Sequence, residues 1–208
     1  MSQITPDRPE GPEGAGTARD RLLAAAVEAF AAKGFHGTTT RDIAAAAGMS
    51  PAALYVHHRS KEDLLYLISR TGHELTLEVV RDGVARSQEP AEQLAAVVRA
   101  FTLHHARGHT RARIVNYELA ALSAEHYAEI AGYRKAIEAE VRQVVEAGVA
   151  AGVFHTDDPR MTTLALLSLG VDVGRWYRDE GGWSPEDVAE HYSRLALAMV
   201  GAAAPPPL

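Results

Sequence analysis

Several features are scarce or absent in this chain of 208 residues, and each absence excludes a class of protein. There is no cysteine, which excludes disulfide bonds and thiolate metal sites and fits a cytoplasmic protein. No apolar run approaches the roughly 20 residues that a membrane-spanning helix needs. Alternating β-branched residues, the sign of half-buried strands, are rare. The sequence therefore predicts a cytoplasmic, all-α protein with no membrane partner.

Both ends of the chain lack helical periodicity. Residues 1–16 are polar and rich in proline and glycine, without the basic start and apolar segment of a secretion signal. Residues 203–208 contain three consecutive prolines, which cannot continue a helix. We expect the first segment to be a disordered arm and the second a disordered tail.

Apolar residues recur at three- and four-residue steps through almost all of the intervening sequence, which predicts about nine helices. Two of these helices are short and follow the first. The other predicted helices span residues 17–33, 61–86, 91–106, 110–122, a long stretch that begins after Ser123 and loosens at Gly148 and Gly152, 159–179 and 184–201.

Residues 34–65 are the most informative stretch and read GFHGTTTRDIAAAAGMSPAALYVHHRSKEDLL. Thr38 or Thr39 can cap a first short helix, and Gly48 can end it in the left-handed conformation. The tight glycine turn then leads directly into a second short helix. This arrangement is a helix-turn-helix, which carries its second helix into the major groove of DNA.

The second short helix has the signals of a recognition helix, with one face packed on the protein and the other exposed to DNA. Ser50 suits its cap and Pro51 its first position, where no amide hydrogen is missed. Leu54 is expected to face inward. The residues left to face outward combine small side chains with polar aromatic ones: Ala52, Ala53, Tyr55 and His57.

This stretch resembles the DNA-binding domain of the TetR family of transcriptional regulators, without a gap. The matching residues are Gly34, Phe35, Thr38, Thr39, Ile43, Ala44, Ala47, Gly48, Met49, Ser50, Leu54, Tyr55, His57, Lys61 and Leu64. His58 departs from the pattern, which usually has Phe there, and so does Thr40, where a small aliphatic is usual. The resemblance implies a homodimer with a three-helix DNA-binding domain over residues 17–63 and a helical domain for effector binding and dimerisation over 64–202.

Carried over position by position, the resemblance also implies a set of DNA contacts. They are Thr39, Thr40, Arg41, Ser50, Ala52, Ala53, Tyr55, His57 and Lys61. Lys61, at a helix start, is expected to bind a phosphate, and Tyr55 and His57 can donate to phosphate oxygens. Arg41 is either a bidentate reader of guanine or a solvated or phosphate-bound cation. Thr38 is expected to act as a cap.

The distribution of charge agrees with a DNA-facing head. Residues 17–61 hold six Lys and Arg against three acids, a local balance of +3 in a chain whose overall charge is −6. The remainder therefore carries −9. Random scatter of surface charge would also allow this difference, so charge supports the motif without establishing it.

The C-terminal part mixes polar and aromatic residues into apolar helices, as a small-molecule site between helices requires. The candidate effector-binding residues are Phe101, His105, Arg113, Asn116, Tyr117, Tyr127, Arg175, Trp176 and Tyr177. Alternatively, the aromatic residues are core and the charges reach the surface. The stretches RIVNYELAALSAEH and GVDVGRWYR are similar to effector domains of TetR-type regulators of fatty-acid and sterol degradation, which implies an acyl-CoA thioester as effector.

In the last two predicted helices the apolar residues are not confined to the one face that packing within a subunit would require. Two such helices meeting their symmetry mates would form a four-helix dimer interface. The alternative is that both are buried within one subunit. Dimerisation also agrees with DNA geometry, because two recognition helices about 34 Å apart read a palindrome.

Catalytic and metal-binding patterns are missing. The chain has no G-x-S-x-G motif, no phosphate-cradling glycine loop and no HExxH motif, so we predict no catalytic residues, cofactor or metal. His104, His105 and His109 lie at a helix end, where histidine also suits the helix dipole. His126 and His155 lack the spacing of a ligand set.

The sequence therefore predicts a DNA-binding transcriptional regulator, a repressor released from a palindromic operator by a small molecule. An activator or a regulator controlled by a protein partner is an alternative, as is a helical binding protein or enzyme.

Overall fold

The computed structural model describes residues 17–202, which form nine α-helices and contain no strand. The predicted arm and tail lie outside the described residues. The helices are α1 Ala18–Gly37, α2 Thr40–Ala46, α3 Pro51–His57, α4 Lys61–Val84, α5 Pro90–Arg107, α6 His109–Tyr117, α7 Ala124–Ala150, α8 Pro159–Trp176 and α9 Pro185–Met199. The all-α prediction is confirmed for this part of the chain. Between residues 17 and 202, no helix has the length and apolar character needed to cross a membrane.

Most of these helices begin at a side chain that accepts a hydrogen bond from the first turn. Thr17, Thr39 and Ser184 form capping boxes, in which an aspartate three residues on also accepts from the cap's own backbone N–H. Serine or aspartate caps α3, α4, α7 and α8. Such caps satisfy amides that have no partner within the helix, which fixes where each helix starts.

The end of α1 differs from the prediction. Gly34 has a φ of 70° and breaks the helix, as expected, but one more turn follows as far as Gly37. Thr38 is buried, and its hydroxyl lies 2.8 Å from the Gly34 carbonyl and 3.0 Å from the Ala29 carbonyl. Thr38 therefore closes the end of α1, and Thr39 is the cap of α2.

A single core holds the first three helices and extends beyond them. Phe30, Ile43 and Leu54 are buried together with residues from the first turns of α4, and Ile114 and Val115 of α6 belong to the same cluster. The predicted boundary between residues 63 and 64 falls in the first turn of α4, which runs unbroken to Val84. The head, as we call residues 17–63, is thus packed against α6 as well as α4.

The remaining helices form a bundle around α5, which packs against α9, α4, α8 and α7. Three apolar clusters hold it. One contains Phe154 and residues of α5, α7, α8 and α9, one lies between α4, α5 and α7, and a smaller one joins α5, the end of α8 and α9. The predicted helix over residues 110–122 is shorter than expected. It ends at Tyr117, and a 3-10 turn over Leu119–Ala121 follows.

Candidate functional sites

The helix α3 is held by one buried residue and exposes most of the others. Leu54 has no accessible surface, as predicted, because it lies in the core under the helix. Tyr55 is 56% exposed and Val56 79% exposed. Gly48, with a φ of 67°, makes the turn before it, and Ser50 accepts a hydrogen bond from the Ala53 amide at 3.2 Å. The sequence therefore builds a short helix that is rigidly supported and freely presented.

The start of α2 and the second half of α3 are joined at this surface. The hydroxyl groups of Thr40 and Tyr55 lie 3.2 Å apart. Together they line a shallow depression of about 390 Å³, whose walls also include His36, Thr39, Arg59 and Lys61. His36 and Arg59 are absent from the contacts predicted from the sequence. Arg59 was visible only as part of the basic balance of the head.

Several polar groups of the head are engaged in holding the chain. The Thr39 hydroxyl lies 2.7 Å from an Asp42 carboxylate oxygen, and Lys33 lies 3.1 Å from the other. The hydrogen bonds from Thr39, and then the one from Lys33, lower the pKa of Asp42 to about 2. Asp42 is therefore charged at any physiological pH and keeps α2 capped.

Lys61 has a structural role that the sequence did not indicate. Its ammonium donates to the carbonyl oxygens of Phe35 at 2.7 Å and Thr38 at 2.8 Å, and it lies 4.3 Å from the centre of the Phe35 ring. Two of its three donors thus satisfy carbonyls at the end of α1. The predicted phosphate contact would rely on the third.

Two arginines of the head have no such engagement. Arg41 and Arg59 are exposed, and neither has a carboxylate within ion-pair distance in the described part of the chain. His57 is exposed at the end of α3. Of these groups Arg59 lines the same depression as Tyr55, and all three remain available to a ligand.

His58 stands at a buried position under α3. Its Nδ1 lies 3.2 Å from Asp63, while its Nε2 is sealed from solvent and has no hydrogen-bond partner. Burial lowers the pKa of His58, against the opposing effect of Asp63. The departure from the usual Phe therefore leaves an unsatisfied polar atom inside the head.

A cavity of about 890 Å³ opens among α4, α5, α6, α7 and α8. Its floor is made of buried residues: His73, Thr76, Phe101, His105, Val115 and Ile137. Gly170 permits this arrangement, because a Cβ there would come within 2.6 Å of the Phe101 ring. A mostly apolar floor with a few polar groups is typical of small-molecule sites.

The rim of the cavity carries positive charge. Arg134, Lys135 and Arg160 are exposed at its edge. In residues 17–202 no carboxylate forms an ion pair with any of the three. The acids of the lining differ, because Asp172 is bound by Arg175 at 2.6 Å and Glu138 has Arg142 at 3.6 Å. The rim thus offers uncompensated cations.

Four of the nine predicted effector-binding residues line this cavity, namely Phe101, His105, Asn116 and Tyr117. Asn116 donates to the Ala112 carbonyl and accepts from Arg134, and Tyr117 donates to Asp172. Sequence reasoning missed His73, Thr76 and the three rim cations. Charges on helices look like ordinary surface in a sequence, and His73 carried no motif.

The structure does not bring the other five predicted residues to the cavity. Arg113 points to the head, Tyr127 is exposed on α7, and Arg175 pairs with Asp172. Tyr177 is buried among Ala106, Val173 and Val188, because the chain turns away where α8 ends. Trp176 lines a separate hollow of about 520 Å³ with Trp183 and Tyr192.

The helix α6 connects the cavity with the head. Asn116 and Tyr117 line the cavity, whereas Arg113 donates to the Ala31 carbonyl of α1 at 3.0 Å. Just beyond α6, the Glu118 carboxylate accepts from the Phe35 amide at 3.4 Å. Val115 belongs to both places, since it lines the cavity and is buried in the core of the head.

The two final helices have a core face and an exposed face. Leu166, Val173, Val188 and Leu197 are buried within the subunit. The exposed apolar residues of these helices and the loop between them are Met161, Leu164, Leu169, Trp183 and Leu195. One face of these helices is therefore core, and Leu164 and Leu169 on the exposed side line the cavity. The four-helix dimer interface stays a prediction.

Family models match both halves of the chain. Residues 22–66 match the model described as bacterial regulatory proteins, tetR family, and residues 87–200 match tetracyclin repressor-like, C-terminal domain. The HTH-type transcriptional repressor KstR2 of Rhodococcus jostii is 31% identical to this chain, over 97% of this chain and 99% of that relative.

Solved structures agree with these matches. A bacterial regulatory protein of the tetR family from Rhodococcus RHA1 is 42% identical, with a TM-score of 0.86 over 91% of this chain and all of that one. AibR, solved in complex with isovaleryl coenzyme A and operator DNA, is 26% identical, with a TM-score of 0.80 over 90% of this chain and all of its own.

Proposed function

Because the chain belongs to the TetR family of bacterial regulatory proteins, we propose that it represses transcription as a homodimer on a palindromic operator and leaves the DNA when an effector fills its cavity. As a member of this family it is a DNA-binding transcriptional regulator and not an enzyme. Its place of action is the cytoplasm, where bacterial DNA lies. The presentation of α3 on a buried support is the observation that carries the proposal.

At the DNA, α3 enters the major groove and the surrounding polar groups bind the backbone. Tyr55 and His57 donate to phosphates, with Thr39, Thr40, Ser50, Ala52 and Ala53 forming the surface that approaches the duplex. Arg41 and Arg59 have no competing carboxylate, so their charge is available to phosphates or to guanine. Each phosphate contact makes binding more sensitive to salt.

The homodimer forms through the exposed faces of α8 and α9. Met161 is 63% exposed and Trp183 67% exposed, which is a large apolar surface to leave in water. A symmetric partner presents the same face, so the two helices pair with their copies in a four-helix arrangement. The proposal requires this pairing to leave both heads on one side of the assembly.

The effector is an acyl-CoA thioester. The apolar floor with Phe101 and Ile137 suits the acyl group, and the uncompensated Lys135 and Arg160 suit the phosphates of coenzyme A. AibR, which has this fold, was solved with isovaleryl coenzyme A. Both the chemistry of the cavity and this likeness support an anionic thioester.

Occupation of the cavity changes the spacing of the heads through α6 and α4. An acyl group that contacts Val115 and Tyr117 moves α6, which holds α1 through Arg113 and Glu118. The effector must bind one head spacing better than the other, and a coupling of about 1–3 kcal/mol is the usual scale.

A gel-shift experiment tests this function. DNA from beside the protein's own gene should be bound by the purified dimer and released by acyl-CoA esters. Tyr55→Ala should weaken binding about tenfold and leave thermal stability nearly unchanged, since the side chain is exposed. Tyr127→Ala, an equally exposed tyrosine on α7, is the matched control and should bind normally. Equal affinity of Tyr55→Ala and the parent would remove Tyr55 from the DNA contacts.

A further inference from the structure

Two histidines on the floor of the cavity have the same hydrogen-bonding state. The Nδ1 of His73 lies 2.8 Å from the Ser69 carbonyl, and the Nδ1 of His105 lies 2.8 Å from the Phe101 carbonyl. A carbonyl oxygen only accepts, so Nδ1 must carry the proton in both rings. In a neutral imidazole the other nitrogen, Nε2, then has a free lone pair.

Both rings are neutral at physiological pH. Burial lowers the pKa of His73 and of His105 to about 4, and this outweighs the hydrogen bonds to the Ser69 and Phe101 carbonyls. The two Nε2 atoms are therefore hydrogen-bond acceptors and not donors.

Neither acceptor is satisfied by the protein. Among residues 17–202 no side chain or amide donates to the Nε2 of His73 or His105, yet neither atom is sealed from solvent as the Nε2 of His58 is. Both residues line the cavity, so the lone pairs are reachable from it. A ligand that fills the floor without a donor would leave two buried acceptors unpaired, which costs binding free energy.

The neighbouring polar groups are already engaged. The Thr76 hydroxyl lies 2.8 Å from the Gly72 carbonyl. Asn116 donates to Ala112 and accepts from Arg134, and the Tyr117 hydroxyl donates to Asp172. The unused polar capacity of the floor is thus acceptor only, whereas the rest of the lining leaves cations unpaired together with one buried carboxylate oxygen of Glu138.

We propose that the effector carries a hydrogen-bond donor, a hydroxyl group, on the portion of its acyl group that reaches the floor, where the Nε2 atom of either His73 or His105 accepts its hydrogen. This rests on the proposed acyl-CoA function and narrows it to hydroxylated acyl groups. A ketone oxygen at the same carbon is itself only an acceptor, so it is repelled by the lone pairs of the imidazoles and cannot form a hydrogen bond with them. A plain alkyl chain leaves both imidazoles without a donor.

The test measures binding of matched ligands to the full dimeric protein by calorimetry. The probes are decanoyl-CoA and two series in which an alcohol or a ketone is moved along the decanoyl chain. At one position or more, the alcohol should bind about tenfold tighter than the ketone at that carbon and than decanoyl-CoA itself. If no alcohol is preferred although decanoyl-CoA binds, the donor requirement is wrong and the acyl-CoA function stands. If no acyl-CoA binds at all, the acyl-CoA function fails and the inference with it.

Variants locate the effect in the protein. His73→Phe and His105→Phe each keep a ring in place but remove one Nε2, so the ratio of alcohol to ketone affinity should fall to about one in the variant that lacks the accepting nitrogen. His109→Phe is the control, because this partly buried histidine packs on Tyr177 outside the cavity, and it should keep the ratio of the parent. Thermal unfolding and operator binding without ligand confirm that each variant is folded. A ratio unchanged in both cavity variants would overturn the assignment of the two histidines.

Discussion

The capped helix ends of the head and the lining of the cavity use polar side chains in opposite ways. In the head, Asp42 and Lys61 bind backbone and neighbouring side chains, and their charges hold helix ends in place. Around the cavity, Lys135 and Arg160 have no carboxylate partner in the described residues, and His73 keeps a free lone pair. A charge that is engaged in the fold stabilises it, while a charge that is left free marks where a ligand binds.

Acid should affect the floor of the cavity more than the caps of the head. The pKa values of His73 and His105 are about 4, against 6.5 for an ordinary histidine. The contribution of the two neutral histidines to the free energy of unfolding is therefore fully present above pH 6.5. It falls as the pH drops towards 4, because in this range the histidines bind protons in the unfolded chain but not in the folded protein. Each histidine should cost about 3 kcal/mol over this range. Asp42 stays ionised throughout, so the cap of α2 persists.

Urea unfolding at pH 7 and pH 4.5 measures this loss. His105→Phe should remove about 3 kcal/mol of the pH-dependent change, while His73 and the other histidines with lowered pKa values, His58 and His104, keep the rest. If the double variant His73→Phe/His105→Phe loses as much unfolding free energy between pH 7 and pH 4.5 as the parent, these two histidines are not the cause of the acid sensitivity.

Replacement of an engaged lysine should reduce stability more than replacement of a free arginine. Lys61→Met leaves the Phe35 and Thr38 carbonyls without their donor and should cost about 1–3 kcal/mol of unfolding free energy. The matched substitution Arg59→Met should change the unfolding free energy by no more than about 0.5 kcal/mol. It should nevertheless reduce the salt dependence of operator binding by the amount that corresponds to about one phosphate contact. Equal stability of the two variants, measured by urea unfolding, would contradict the distinction between engaged and free charges.

His58→Phe should stabilise the head, because it removes a sealed Nε2 without a partner. The gain is about 1–2 kcal/mol, reduced by loss of the contact with Asp63 at 3.2 Å. The gain should be larger at pH 5 than at pH 8. Because the pKa of His58 is lowered in the folded protein, acid protonates this histidine more readily in the unfolded chain and so destabilises the parent, whereas phenylalanine does not titrate. Thermal unfolding at both pH values checks this, and a less stable variant would mean that Asp63 compensates the imidazole.

The smallest expected effect is at the rim of the cavity. Lys135→Met should weaken binding of decanoyl-CoA about threefold to tenfold and leave the unfolding free energy unchanged, because an exposed cation without a partner contributes little to stability. Lys33→Met, which removes a lysine paired with Asp42, is the control and should bind the ligand normally. Calorimetry that finds the same affinity for Lys135→Met would remove this lysine from the ligand contacts.

The head was predictable because its signals are local. Gly48, Ser50 and Leu54 act on residues within four positions of themselves, so the turn, the cap and the buried face follow from the order of the residues. The engagement of Lys61 was not predictable in this way. It depends on where α1 ends, 23 residues or more away in the chain.

The cavity was predictable only in part, because five helices contribute to it. Asn116 and Tyr117 were identified from a polar patch on a short apolar helix. Trp176 and Tyr177 carried a similar signal but lie where the chain leaves α8. Which side of a helix end faces a cavity depends on the packing of helices distant in sequence, and a local pattern does not contain that information.

The sharing of Val115 between the two regions limits how such proteins can be recombined. A chimaera that exchanges only the residues before α4 would set a foreign core against Ile114 and Val115, and a mismatch of a single methylene is felt at such a junction. Successful grafting of a new DNA specificity onto this body would carry α6 along with the incoming head, or restrict the exchange to the solvent side of α3.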